Sequence, residues 1–181
     1  MRTLIILTLF LLIARSVQAQ LYEVRNGIAR FHSNAPKELI SAQSAQLRGV
    51  VDVGRKAFAF RIRMASFEGF NSPLQREHFN ENYMESDKHP EAMFSGKIIE
   101  DTDLSKDGEY DVRAKGKFRI HGLQQERIIK AHVSTQKGIM TITSDFTVTL
   151  ADYNIKVPRV VYDKLAPEIK VSINASLAPR S

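Results

Sequence analysis

Apolar and polar residues alternate along most of the chain. Phe58, Phe60, Ile62 and Met64 share one face of a run whose other face carries Ala57, Ala59, Arg61 and Arg63. Val112, Ala114, Gly116, Phe118 and Ile120 alternate likewise with Arg113, Lys115, Lys117, Arg119 and His121. Met140, Ile142, Ser144, Phe146, Val148 and Leu150 interleave with threonines and Asp145, and Ile169, Val171, Ile173, Ala175 and Leu177 repeat the pattern near the C-terminus. A period of two in β-branched and aromatic residues predicts half-buried antiparallel strands. Shorter strands are predicted at Tyr22–Val24, Ile28–Ser33, Glu38–Ala42, Leu47–Val53, Ala92–Ile99 and Arg127–Val133. Asn26-Gly27 reads as a tight hairpin, and Asp107-Gly108, His121-Gly122 and Lys137-Gly138 fall where strands should reverse. Many strands with short connections, and no alternation of helix with strand, predict a single all-β domain, a barrel or a sandwich.

One stretch breaks the alternation. Ser66 to Pro90 carries Phe67, Phe70, Leu74, Phe79 and Tyr83 at mixed spacing. Ser72 before Pro73 is a good cap followed by proline at the first helical position. A short helix is therefore predicted from Pro73 to about Asn82, laying aromatics over one end of the barrel. Tyr153 to Leu165 also departs from period two and is expected to form a second short helix or lid.

The N-terminus changes the picture in another way. Arg2, an apolar run from Leu4 to Ala14, and Val17-Gln18-Ala19 have the form of a secretory signal, with cleavage expected after Ala19. The apolar run falls short of the roughly 20 residues needed to span a bilayer. The expected arrangement is a signal peptide over 1–19 and a β domain over 20–181, exported to the periplasm or secreted. Loss of Arg2 and Arg15 lowers the formal net charge from +6 to +4. That balance is too mild to argue for nucleic acid. The chain has no cysteine, which excludes disulfide scaffolds, thiolate metal sites and cysteine nucleophiles.

Catalytic signals are sparse. The chain holds no Gly-x-Ser-x-Gly elbow, no phosphate-cradling glycine loop and no HExxH pair. Glu77, His78 and Glu81 on the predicted helix, with His89 nearby, are the one group that could converge on a metal. The simpler reading of His78 is a hydrogen-bonding residue on the helix face, and His121 is expected to shape a turn. The basic row Arg113, Lys115, Lys117 and Arg119 continues into Glu109 and Asp111, as a solvated sheet face would. Its alternative is peripheral contact with anionic lipid, worth about 1 kcal/mol per basic residue. No aromatic residue shares that row to stack bases.

Two segments resemble a known family. Leu74-Gln-Arg-Glu-His78-Phe79-Asn-Glu-Asn-Tyr83, leading through Asp87, Lys88, His89 and Pro90 to Phe94, looks like the central motif of the YceI-like family. Lys117-Phe118-Arg-Ile120-His121-Gly122-Leu123 resembles that family's second motif, a strand ending in an Ile-His-Gly hairpin. The resemblance implies an antiparallel eight-stranded lipocalin-like barrel with one or two short helices. It also implies an isoprenoid or similar long amphiphile held inside.

An eight-stranded barrel is just wide enough to be filled by side chains or to hold one small ligand. The residues expected to line such a cavity are Phe58, Phe60, Ile62, Met64, Phe94, Phe118, Ile120, Met140, Ile142 and Phe146. Phe70, Asn71, Leu74, His78, Phe79 and Tyr83 are expected at its mouth. The function expected is that of a non-catalytic lipid carrier such as a polyisoprenoid-binding protein, with no cofactor, no metal and no nucleic-acid partner. The alternative is a metal-dependent hydrolase using His78 and nearby carboxylates. Pairing of subunits into a dimer is left open, since no motif fixes it.

Overall fold

The first strand, β1 (Leu21–Asn34), is long enough to serve three neighbours, and it organises the barrel. The computed structural model describes residues 20–180, so the expected signal segment at 1–19 lies outside the described residues. After β1 come β2 (Leu39–Ser44), β3 (Arg48–Asp52), β4 (Ala57–Arg63), helix α1 (Pro73–His78), β5 (Glu91–Ile98), β6 (Gly108–Ile120), β7 (Leu123–Gln136), β8 (Ile139–Thr149) and β9 (Glu168–Pro179). All pairings are antiparallel between neighbours, and β1 closes the ring onto β9 through Tyr22–His32. β2 and β3 pair with β1 in one continuous register, Ala29 to Asn34 with β2 and Leu21 to Glu23 with β3. They are one strand position interrupted at 45–47, so nine strand segments make an eight-stranded barrel.

Asn26-Gly27 does not turn the chain, in contrast to the hairpin its sequence suggests. Both residues lie inside β1, where the register against β9 slips between Val24 and Asn26 and leaves Arg25 as the extra residue of a bulge. Gly27 is there for space: a Cβ would sit 2.9 Å from Val24 and 3.0 Å from Leu47. The bulge also reverses the phase of alternation. Tyr22 and Val24 point inward before it, and Gly27, Ala29 and Ser33 are buried after it. His121-Gly122 and Lys137-Gly138 are two-residue turns with positive φ at both positions, as tight hairpins matching the strand twist require.

The ring of backbone hydrogen bonds is complete only in its lower half. Here "lower" is the end that holds the 53–56, 99–107 and 137–138 connections. In the upper half β2 turns away from β4 and is joined to the following segment by a single bridge, Gln43 to Glu68. β7 and β8 pair only from His132 to Gln136. Above that, the Ser144 hydroxyl donates to the Lys130 carbonyl at 2.6 Å and the Arg127 guanidinium to the Thr147 carbonyl at 2.8 Å, spanning the gap.

The predicted helix exists with a different second half. Ser72 caps it by accepting from the Gln75 amide, Pro73 opens it, and α-helix runs only to His78. One π-helical turn, Phe79–Tyr83, completes it. The segment 153–165 forms no α-helix; its structure is 3-10 turns at Leu150–Tyr153 and Arg159–Val161. Among the described residues no helix is long and apolar enough to cross a membrane.

Candidate functional site

The inner wall is built from the strand faces that alternation marks as apolar. Phe58 on β4 meets Phe94 on β5 with ring centroids 4.8 Å apart, and Phe94 meets Phe118 on β6 at 6.1 Å, edge to face. Phe118 in turn lies edge-on to Phe146 at 5.9 Å and to Tyr153 at 5.6 Å. These tilted pairs each add about 0.5–1.5 kcal/mol beyond area burial. Gly96 and Gly116 face each other across β5 and β6, where a Cβ on either would fall about 2 Å from a carbonyl oxygen of the opposite strand. The small pair lets the backbones of β5 and β6 approach closely at this point, which a side chain on either residue would prevent.

These side chains do not fill the barrel. A cavity of about 580 Å³ runs through it, and its lining is almost wholly apolar. The volume lies within the range of about 300–1,000 Å³ typical of ligand sites. Phe58, Phe60, Ile62, Met64, Phe94, Phe118, Ile120, Met140, Ile142 and Phe146 all face it. At the lower end it stops on Leu104, which is 2% exposed and is carried by the 99–107 connection. The Thr135 hydroxyl donates to the Leu104 carbonyl at 2.8 Å and holds that loop in place. Tyr22, Val133 and Leu177 pack the same end with no more than 2% exposure.

At the upper end the helix forms a lid. Phe79 from the π turn stacks on Phe31 of β1 at 5.4 Å and 15°. Phe70 packs on both rings, and Phe67 closes the group. Leu74, His78 and Tyr83 also reach the cavity, together with polar rim residues Glu38, Ser72, Gln75 and Lys164. Asn71 is not on the wall. Its amide donates to the Leu39 carbonyl at 3.0 Å and ties the lid to β2. Gln75 does the same through Glu38 at 2.9 Å. Burial raises the Tyr83 phenol above its ordinary value, so this lid residue stays neutral in the physiological range. Phe31 is not singled out by the alternation pattern, because its face of the predicted strand Ile28–Ser33 is shared only with the small residues Ala29 and Ser33, while Ile28 lies on the opposite face.

The histidines arrange themselves differently from the sequence expectation. His78 sits at the cavity mouth and joins no three-donor group with Glu77 or Glu81. His89 instead turns away from the helix and meets Glu85 and His121, where donor atoms from all three lie within 4.8 Å of one another. The reason is the left-handed residue Glu85, φ 43°, which reverses the chain after the π turn. The basic row on β6 is solvated as expected, with Arg113 on Glu100 at 2.7 Å and Lys115 on Glu126 at 3.2 Å.

A closed antiparallel eight-stranded barrel, hollow, apolar inside and lidded at one end, defines the class of small barrels that enclose a single ligand-sized space. The chain belongs to the YceI-like family: the model of the YceI-like domain matches residues 24–177. No curated protein matches it in sequence. Among solved structures it is similar to a polyisoprenoid-binding domain from Saccharophagus degradans implicated in plant cell wall breakdown. That likeness has TM-score 0.71 at 11% identity and covers 88% of this chain and 98% of that one. It is also similar to BcnA of Burkholderia cenocepacia, with TM-score 0.67 at 13% identity over 83% and 95% of the two chains. A third is the YceI protein of Campylobacter jejuni, with TM-score 0.57 at 14% identity over 72% and 78%. At such identities these likenesses speak for the fold.

Proposed function

We propose that this protein is a non-catalytic carrier that encloses the tail of a long apolar amphiphile, a polyisoprenoid or similar lipid. The observation that carries the reading is the apolar, unfilled interior of about 580 Å³ between the Leu104 floor and the Phe79 lid. Burial of a hydrocarbon tail contributes about 0.8 kcal/mol per methylene, so affinity needs no polar contact along the barrel. The likeness to a polyisoprenoid-binding domain supports the choice of ligand class. A headgroup would meet Ser72, Gln75, His78 and Lys164 at the rim. The signal-like residues 1–19 and the family together support an exported address.

The rim also supports loading from a membrane surface. Leu39, Leu74, Val160 and Tyr162 are exposed large hydrophobics on the segments that surround the mouth, and Val160 is 84% exposed. Asn71 on the Leu39 carbonyl and the Lys37–Asp163 ion pair at 2.6 Å hold these segments together. The test is solvent extraction of purified protein followed by mass spectrometry, with a prenyl-alcohol uptake assay on the delipidated chain. One lipid per barrel, or saturable uptake, is expected. Absence of both would overturn the proposal.

A further inference from the structure

The turn between β6 and β7 holds an arrangement that the carrier reading does not use. The His121 Nδ1 lies 2.9 Å from the Tyr153 carbonyl oxygen. A carbonyl only accepts, so Nδ1 bears a hydrogen and donates it. This fixes the tautomer and directs Nε2 at the Glu85 carboxylate, 3.0 Å away. A neutral ring offers only a lone pair there, and so does the carboxylate. Two lone pairs at that distance repel unless a cation lies between them, a proton or a metal ion.

A third donor stands beside the pair. The amides of Lys88 and His89 both donate to the Glu85 carbonyl at 2.8 Å, so the chain folds back and carries His89 over Glu85. The His89 ring meets His121 edge-on with centroids 5.1 Å apart. It occupies the space that a Cβ on Gly122 would need, 2.6 Å from the ring. Gly122 therefore serves both the positive φ of the turn and the approach of this imidazole.

We propose that Glu85, His89 and His121 form a binding site for a borderline divalent metal ion such as zinc. Two imidazole nitrogens and one carboxylate oxygen suit that class of ion, and a fourth position remains for water. Zinc bonds of about 2.0–2.1 Å ask the donors to close by roughly an ångström from their present spread. All three residues are only partly buried, and rotamer adjustment supplies that movement. The outer partners are already placed. The Tyr153 carbonyl holds the His121 ring by its Nδ1 hydrogen, an arrangement usual for metal-ligating histidine. Lys88 holds the other oxygen of Glu85. Occupancy would pin the segment below the lid to the β6–β7 turn.

The experiment is calorimetric titration of zinc into chelator-treated full-length protein, with cobalt as a spectroscopic probe of coordination. One zinc per chain is expected, with a rise in melting temperature on binding. His89→Ala leaves the Glu85–His121 contact intact, so it should weaken zinc at least about tenfold while the metal-free melting temperature stays unchanged. Glu85→Gln and His121→Gln should weaken it as well, and His132→Gln on the outer face should not. No saturable zinc binding, or binding that survives His89→Ala at full strength, would overturn the site.

Discussion

The two ends of the barrel are built on opposite terms. The lower end has an unbroken ring of strand hydrogen bonds and a floor of fully buried side chains, Leu104, Tyr22, Val133 and Leu177. The upper end has two gaps in its hydrogen bonding, between β2 and β4 and between β7 and β8. It is covered by half-buried aromatics on a short capped helix. The difference teaches where stability and exchange are separated. A packed floor closes one end of an interior that its own side chains leave partly empty. No residue of the α-helical turn of the lid is buried, so exchange of a ligand is expected at the upper end.

The largest test of that contrast is at the floor. Leu104→Ala should cost about 2–5 kcal/mol in denaturant unfolding, because truncation enlarges the cavity that the side chain floors and the closed ring around it cannot collapse to refill the space. A loss below about 1 kcal/mol would mean that the floor is as loose as the lid. Phe79→Ala at the other end should cost less, about 1–2 kcal/mol, since a half-buried ring loses a few aromatic pairs and part of its transfer free energy. Its main effect is expected in faster release of a bound fluorescent prenyl probe. Equal release rates with and without the ring would remove Phe79 from the gate.

The smallest effect belongs to the outer wall, away from both ends. The His132 ring nitrogens lie 2.9 Å from Asp111 and 2.7 Å from Glu109, and the protonated ring donates to both carboxylates. The Asp111 and Glu109 bonds raise its pKa above the ordinary 6.5, while Ser134 and His132 lower that of Glu109 below 4.5. The raised imidazole contributes stability that is complete below about pH 6.5 and fades as pH climbs through the folded value. The lowered carboxylate contributes above about pH 4.5 and fades as pH falls through its folded value. Melting temperature against pH should thus show a shallow plateau in between, flattened in His132→Gln. Superimposable profiles would show that the exposed cluster adds nothing.

Much of the wall was legible from alternation alone. Phe58, Phe94, Phe118 and Phe146 sit on strands with an uninterrupted period of two, and all face inward. The Ser72-Pro73 start of the lid was equally plain, because capping is a local property of two or three residues. Phe31 was not legible, since its strand face is otherwise small (Ala29, Ser33) and Ile28 sits on the opposite face. The Glu85, His89 and His121 group was not legible either. His89 reads naturally as a neighbour of His78, and only the left-handed turn at Glu85 sends it to the β6–β7 hairpin instead.

The amino-acid order by itself determined most of the strands and their inward faces, the turns at His121-Gly122 and Lys137-Gly138 and the capped start of the lid helix, because each depends on neighbours within a few positions. Tertiary structure alone decided that β1 closes onto β9, that Phe79 stacks on Phe31, and that the interior stays open. The same alternation would describe a packed barrel and a hollow one. Which of them forms depends on register and on how the facing side chains meet across the barrel, set between residues far apart in the chain.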